Sequence, residues 1–284
     1  MSRRRIEVEI SGGVGNQLFQ YAAASALCHL HQAHMVVDIS WFKKASHRSP
    51  SRKFQLSDFI ELNEVEVVRS ALPPLVRRAL CVVRGQTQLK DTQVEPKEFL
   101  TLAPKRTIRL RGYWQSEQYF EPISHLLREA LIAQRRVALE SAAWVSADEL
   151  TDSVGIHVRR GDYVTSSKTN RFHGVCSPVF YEKGLEYVQR LRDVRKVFVF
   201  SDDIEWCRRQ LRLNADTFFV EHPGSDTDQL KLMSFCSHHI ISNSSFSWWA
   251  AWLGRSSNQV VVYPAKWFAD GSKLHSMPQG WHSL

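Results

Sequence analysis

The chain has no apolar stretch long enough to cross a bilayer. Its longest uninterrupted apolar runs are about five to six residues, where a spanning helix needs about 18. The N-terminus, MSRRRIEVEI, carries basic residues but no apolar core of signal-peptide length behind them. The chain is therefore expected to stay where it is made, in the cytoplasm. Cysteine is scarce: five residues, Cys28, Cys81, Cys176, Cys207 and Cys236, odd in number and without a CxxC pair. That excludes a disulfide framework and a structural zinc site. There is no internal repeat, no low-complexity tract and no run of Lys and Arg longer than three. With no zinc-finger, RRM or KH signature either, nucleic-acid binding finds no support. The net charge of +8 points instead to a small phosphorylated ligand or an anionic membrane surface.

What is present is alternation. IEVEI (6–10) alternates apolar and acidic residues and reads as a strand. The glycine loop SGGVGN follows, then a helix in QLFQYAAASALCHLHQ, then a strand in MVVDI (35–39). Strand, glycine turn, helix, strand is a Rossmann-type opening. Residues 40–110 carry five prolines and weak periodicity, which predicts short helices and long connections. A helix is expected through ISHLLREALIAQRR.

The second half alternates more cleanly. Strands read at SVGIHV (153–158), KVFVF (196–200), TFFV, HHIIS and NQVVVYP. Between them lie helices that begin with Ser177 as N-cap and Pro178 as first residue, with Ser201 as N-cap, at DTDQLKLMSFCS and at SSFSWWAAWLG. The fold class expected is α/β, with two Rossmann-like domains, residues 1–150 and 151–284, facing across a cleft.

Open α/β sheets bind ligands at the carboxyl ends of their strands. Three loops qualify: 11–17, 159–163 and 242–247. The first is backbone-rich, so a ligand can approach closely. The second, within GIHVRRGDY, sets Arg159 and Arg160 side by side, each a planar fork suited to phosphate oxygens. The third, SNSSFS, offers hydroxyls and free N–H groups at a helix start, an anion site. Together the last two describe a diphosphate pocket; the competing role for the arginines is an ion-pair network. The glycine loop keeps a second function class open. GGVGNQ nearly matches GxGxxG, with Leu18 in place of the third glycine and Asp38 some twenty residues on, as in a nicotinamide-dependent oxidoreductase.

Four segments, GGVGNQLFQYAAA (12–24), GYWQSEQYF (112–120), HVRRGDY (157–163) and IISNSSFSWWAAWL (240–253), resemble glycosyltransferase family 11, the α-1,2-fucosyltransferases. The resemblance implies a GT-B architecture, a GDP-β-L-fucose donor, inversion at the fucose anomeric carbon and no metal. It implies an acceptor side in residues 1–150 and a donor side in 151–284. By motif, His157 would touch the guanine or ribose, Arg159 the β-phosphate, and Arg160 would position the loop. Ser244 and Ser245 would add phosphate contacts, and Asp228 resembles the aspartate that holds guanine in related enzymes. The acceptor implied is the 2-hydroxyl of a terminal galactose on an oligosaccharide or lipid-linked glycan, giving an H-antigen-like unit. Lacking the N-terminal anchor of animal relatives, the chain reads as a bacterial enzyme of cell-surface glycan synthesis.

The chemistry fits those residues independently. Cleaving a sugar diphosphate builds negative charge on the leaving group, and fixed cations lower that barrier. The triplets DTD (226–228) and SDD (201–203) look like metal-binding pairs, but both precede helices, where aspartates cap and complement the dipole. Asp162 or Asn16 is a candidate to orient or take the acceptor proton. The aromatics of 112–120 read as core or as a sugar platform. LPPLVRRALCVVRG (72–85) and SRRR are candidates to rest on an anionic membrane as a peripheral contact.

Overall fold

A computed structural model describes residues 4–45, 52–61, 65–69, 86–102, 107–133, 138–140, 142, 145–221, 224–271 and 276–284. The segment 72–85 and the first two residues of SRRR fall outside them. The chain divides into two compact units, Met1–Leu131 and Ile132–Leu284.

In the first unit the described elements run β1 (Arg5–Glu9), α1 (Val14–His31), β2 (His34–Asp38), α2 (Ser40–Ala45), β3 (Glu66–Val68), β4 (Gln86–Lys90), α3 (Pro96–Thr101), β5 (Thr107–Arg111) and α4 (Ser124–Ala133). All strand pairings are parallel and the order is β3-β2-β1-β5-β4. Strand alternation sorts the residues onto two faces. Ile6 and Val8 are wholly buried. Glu7 and Glu9 point the other way, where the β5 guanidinium of Arg109 meets Glu7, Glu9 and Asp38, the last at 2.6 Å. Arg109 is buried, and its charge is tolerable there only because carboxylates surround it. The region expected to hold long connections thus supplies three strands. β4 and β5 give only two residues each to the less polar face, Thr87 and Leu89 and then Ile108 and Leu110, too few for the alternation to stand out.

The second unit runs α5 (Ala147–Leu150), β6 (Ser153–Val158), α6 (Gly161–Thr165), α7 (Ser167–His173), α8 (Pro178–Leu191), β7 (Lys196–Ser201), α9 (Ile204–Gln210), β8 (Thr217–Phe219), α10 (Asp226–Met233), β9 (His238–Ile241), α11 (Ser245–Leu253), β10 (Val261–Tyr263) and β11 (His282–Ser283). Its sheet is parallel, ordered β8-β7-β6-β9-β10-β11. That is the doubly wound 3-2-1-4-5-6 order. The central strand β6 is buried along its whole length, as a strand covered on both faces must be. Val154, Ile156, Val197, Val199 and Ile240 pack with Tyr181, Leu185 and Val188 of α8. Ser177 precedes Pro178 at the α8 start as expected. The cap of α9 is Asp203, whose carboxylate accepts from the Trp206 N–H, and not Ser201. Ser201 lies in β7 and donates its hydroxyl to the Val158 carbonyl instead.

The fold class is α/β of the GT-B type: two Rossmann-like domains in one chain. Among the described residues no helix is long and apolar enough to cross a membrane.

Candidate active site

In each sheet the chain leaves the first strand in one direction and later returns on its other side. The crevice at that switch is where such sheets bind ligands. In the second unit the switch lies between β6 and β9. Here His157, at the end of β6, places Nδ1 2.9 Å from the Ser242 hydroxyl just past β9. Its ring stacks on Phe246 of α11, centroids 4.7 Å apart. Burial, with Arg159 adding to it, pushes the His157 pKa down to about 3. The ring is therefore neutral, and Nε2 has no partner among the described residues.

The next two residues leave the strand in different directions. Arg159 pairs with Asp162 and, through Nη1, with Asp202 at 2.7 Å. Its guanidinium carbon lies 5.4 Å from the centroid of the Tyr163 ring. Burial works against its charge, and the Asp202 and Asp162 carboxylates more than offset it, so its pKa is raised. Arg160 donates its backbone N–H to Asp202 at 2.8 Å and its Nε to Asp203 at 2.9 Å. Its guanidinium lies 3.9 Å above Trp206. The Asp203 pKa is lowered, first by that Arg160 bond. Gly161 makes the arrangement possible, since a Cβ there would stand 2.5 Å from Asp202 Oδ2. Neither arginine is idle: three carboxylates face two guanidiniums.

On the β9 side, Ser244 is the N-cap of the nine-residue α11, with no side-chain capping bond and no acidic residue in the first turn. The helix start therefore keeps its N–H groups and positive dipole end uncompensated. The hydroxyls of Ser244 and Ser245 have no partner among the described residues. Asn243 holds the loop from beneath, donating to the carbonyls of His173 and Trp267. The structure thus brings His157, Arg159, Arg160, Asp162, Ser244 and Ser245 to one switch point. Asp228 lies elsewhere on the unit's helix starts, in a capping box with Ser225 that begins α10.

Asn16 belongs to the first unit and stands at that unit's own switch, between β1 and β5. Gln17 and Gln20 behind it are buried, and they tie the loops with amide bonds to Gly12, Lys53, Gln55, Ser11 and Gly112. Across the switch the 112–116 loop is held by Asp91, which accepts from the backbones of Tyr113 and Trp114. Trp114 is wholly buried against Phe99 and Tyr119, whereas Tyr113 is exposed. The aromatics of 112–120 are accordingly divided between core and surface. The glycine loop is not a dinucleotide site with Asp38 as its ribose partner: that carboxylate is buried and taken by Arg109 and the Ser40 N–H.

Sequence reasoning missed two residues here. Asp202 was set aside with its triplet as a helix cap, although its place at the end of β7, beside β6, could have flagged it. Gln115 sits in a quoted segment but carries no chemistry until Asn16 is brought to it.

A doubly wound unit with an anion site at its switch, joined to a second Rossmann-like unit, is the build of a nucleotide-sugar glycosyltransferase. Residues 90–281 match the family model "Glycosyl transferase family 11". The O-antigen biosynthesis glycosyltransferase WbnK of Escherichia coli is 31% identical over 97% of this chain and 99% of its own. An alpha-1,2-colitosyltransferase of Escherichia coli is 28% identical over 97% of each chain. Among solved structures, the fucosyltransferase NodZ from Bradyrhizobium superposes with a TM-score of 0.55 over 88% of this chain and 92% of its own, at 17% identity, which shows a common fold. The chain belongs to glycosyltransferase family 11 and is a glycosyltransferase.

Proposed function

We propose that the enzyme transfers L-fucose from GDP-β-L-fucose, with inversion, to the 2-hydroxyl of a terminal galactose, without a metal ion. The observation that carries this reading is that Arg159, just past β6, and the uncapped start of α11, just past β9, follow the two paired strands at the switch point of the second unit. A galactoside 2-alpha-L-fucosyltransferase, Sec1 of Mus musculus, is 25% identical over 95% of this chain, which supports the transferred sugar, the linkage and the galactoside acceptor.

In the reaction the bond from the fucose anomeric carbon to the β-phosphate oxygen breaks. The acceptor oxygen attacks from the opposite face and loses its proton. Charge builds on the departing GDP, where Arg159, the α11 N–H groups and the hydroxyls of Ser244 and Ser245 can meet it. The neutral His157 ring offers its open nitrogen to the nucleoside side, and Asp228 is the candidate for guanine. Arg160, whose polar contacts are made within the protein, positions the turn. Asp162 is the carboxylate available to orient or accept the acceptor proton. Asn16, an amide, can orient it but not take it. Metal independence is supported by what three of the triplet aspartates hold. Asp202 and Asp203 serve the arginines, and Asp228 caps α10. The acceptor belongs with the first unit in this reading, and glycans built for the bacterial surface at the inner membrane face are its natural context.

The test is incubation with GDP-fucose and galactose-terminated glycans, with and without excess EDTA, followed by linkage analysis of the product. An α1,2 bond formed in EDTA is expected. Products bearing only 1,3 or 1,6 bonds, or activity restored only by Mn²⁺ or Mg²⁺, would overturn the reading. The 28% identical colitosyltransferase favours running colitose as a second donor sugar. GDP should raise the melting temperature and NAD(P) should not; a ligand at 100 times its Kd adds about 2.7 kcal/mol. Co-sedimentation with anionic liposomes at low salt tests the peripheral membrane contact.

A further inference from the structure

Gln115 Nε2 donates to Asn16 Oδ1 at 2.6 Å. The bond joins the two loops that flank the switch point of the first unit, the place where His157 and Ser242 meet in the second. It fixes the orientation of Asn16, because an amide whose oxygen is taken must turn its NH₂ elsewhere. Among the described residues, Asn16 Nδ2 and Gln115 Oε1 have no partner. The pair therefore presents one donor and one acceptor, adjacent and both neutral. Gln17, the next residue, and Gln20, one helical turn deeper, have their amide groups bonded to the loops.

The loop that carries Gln115 is held against strain. Gly112 has φ +109° and Trp114 has φ +56°, and a non-glycine residue at positive φ persists where its surroundings over-determine it. Asp91 and the buried Trp114 ring supply that constraint, and between them they leave Tyr113 exposed. Tyr113 lies beside Asn16. A Cβ on Gly12 would stand 2.9 Å from Asn16 Nδ2 and 3.4 Å from Tyr113 Cε1. An aromatic face next to a donor–acceptor pair is matched to a sugar ring, which has an apolar C–H face and hydroxyls that both donate and accept.

We propose that Asn16 and Gln115 are the specificity pair for a hydroxyl edge of the acceptor hexose, with Tyr113 beneath its ring, and that Gln115 decides what Asn16 offers. This rests on the reading that the first unit takes the acceptor. It assigns Asn16 to recognition and not to proton transfer. A site that hydrogen-bonds a substrate hydroxyl rejects the analogue lacking it, because the site's own polar groups are then left unpaired.

The experiment uses the full chain, Gln115→Ala and Gln115→Glu, and a monodeoxy series of galactosides. Glutamate keeps the shape but can only accept, so Asn16 would have to turn its NH₂ inward. Both variants should lose about ten- to a hundredfold in kcat/KM for the galactoside, mostly in KM. One monodeoxy galactoside should be poor for the wild type yet no poorer than galactoside for Gln115→Ala. The rise in melting temperature with GDP should match wild type. Acceptor kinetics within twofold of wild type would overturn the proposal. So would loss of the GDP response together with acceptor use, which would make Gln115 a support of the fold. If the wild type transfers nothing from GDP-fucose, the donor reading fails by itself, and saturation-transfer NMR with lactose decides this one. Binding by wild type and not by Gln115→Ala sustains the pair; equal binding by both, or by neither, sinks it.

Discussion

Replacing Arg159 is the perturbation that bears most directly on the chemistry. Its guanidinium uses one terminal nitrogen on Asp162 and the other on Asp202. With side chains 22%, 41% and 27% exposed, such partly solvated pairs are worth about 0.2–1 kcal/mol each. Arg159→Ala should therefore cost about 1 kcal/mol of stability and lower the melting temperature by only a few degrees. Turnover should suffer far more. Removing one preorganised group that meets developing charge costs about 10²–10³ in rate, or about 2.7–4 kcal/mol. Arg159→Lys should be nearly as damaging, because an ammonium is a point charge that cannot hold Asp202 and a phosphate in the fixed geometry of a planar fork. Arg159→Ala also leaves Asp162 and Asp202 uncompensated next to an incoming diphosphate, so its GDP affinity falls along with kcat. The assay is release of GDP at saturating acceptor, beside circular dichroism and thermal shift with GDP. An Arg159→Ala enzyme within tenfold of wild-type turnover would refute the reasoning.

Three further outcomes follow from single contacts. Gly112→Ala forces a Cβ to within 2.2 Å of Asp91 Oδ1 at a φ of +109°; it should cost about 1–3 kcal/mol, read as a melting-temperature drop by calorimetry, and an unchanged transition would contradict the strain. Asp202→Asn keeps an acceptor for the Arg160 N–H but loses the charge facing Arg159, so kcat should drop about tenfold while the fold survives; wild-type kinetics would remove Asp202 from the site. His157 is neutral when folded, with its pKa lowered to about 3, while the unfolded chain takes up that proton below about 6.5. Its penalty thus develops as pH falls below about 6.5 and saturates near 3, so His157→Gln should flatten the loss of stability between pH 6.5 and 4.5 by up to about 1.4 kcal/mol per pH unit; parallel curves for the two proteins would contradict this.

The second unit was legible because its central strands β6, β7 and β9 are buried on both faces and read as apolar runs between strong helix starts, such as Ser177–Pro178. The middle of the first unit was not. There β5 lies against β1, yet it carries two arginines, and the burial of Arg109 makes sense only once Glu7, Glu9 and Asp38 come from other strands. The site shows the same division. Arg159, Ser244 and Ser245 were found because a strand end and a helix start are local patterns. Asp202 and Gln115 act through partners 43 and 99 positions away, and no local pattern reports such a pairing.

The two adjacent arginines after β6 find their physical answer in their carboxylates. An unpaired guanidinium in a crevice would carry a desolvation penalty in the free enzyme. Pairing Arg159 with Asp162 and Asp202 removes that penalty and holds the fork in place before any ligand arrives. Of the two, Asp162 is the more exposed, 41% against 27%, and it lies in the five-residue helix α6. An incoming phosphate can therefore take the place of Asp162 while Asp202 keeps its hold. One anion then replaces another at Arg159, so donor binding needs little net desolvation.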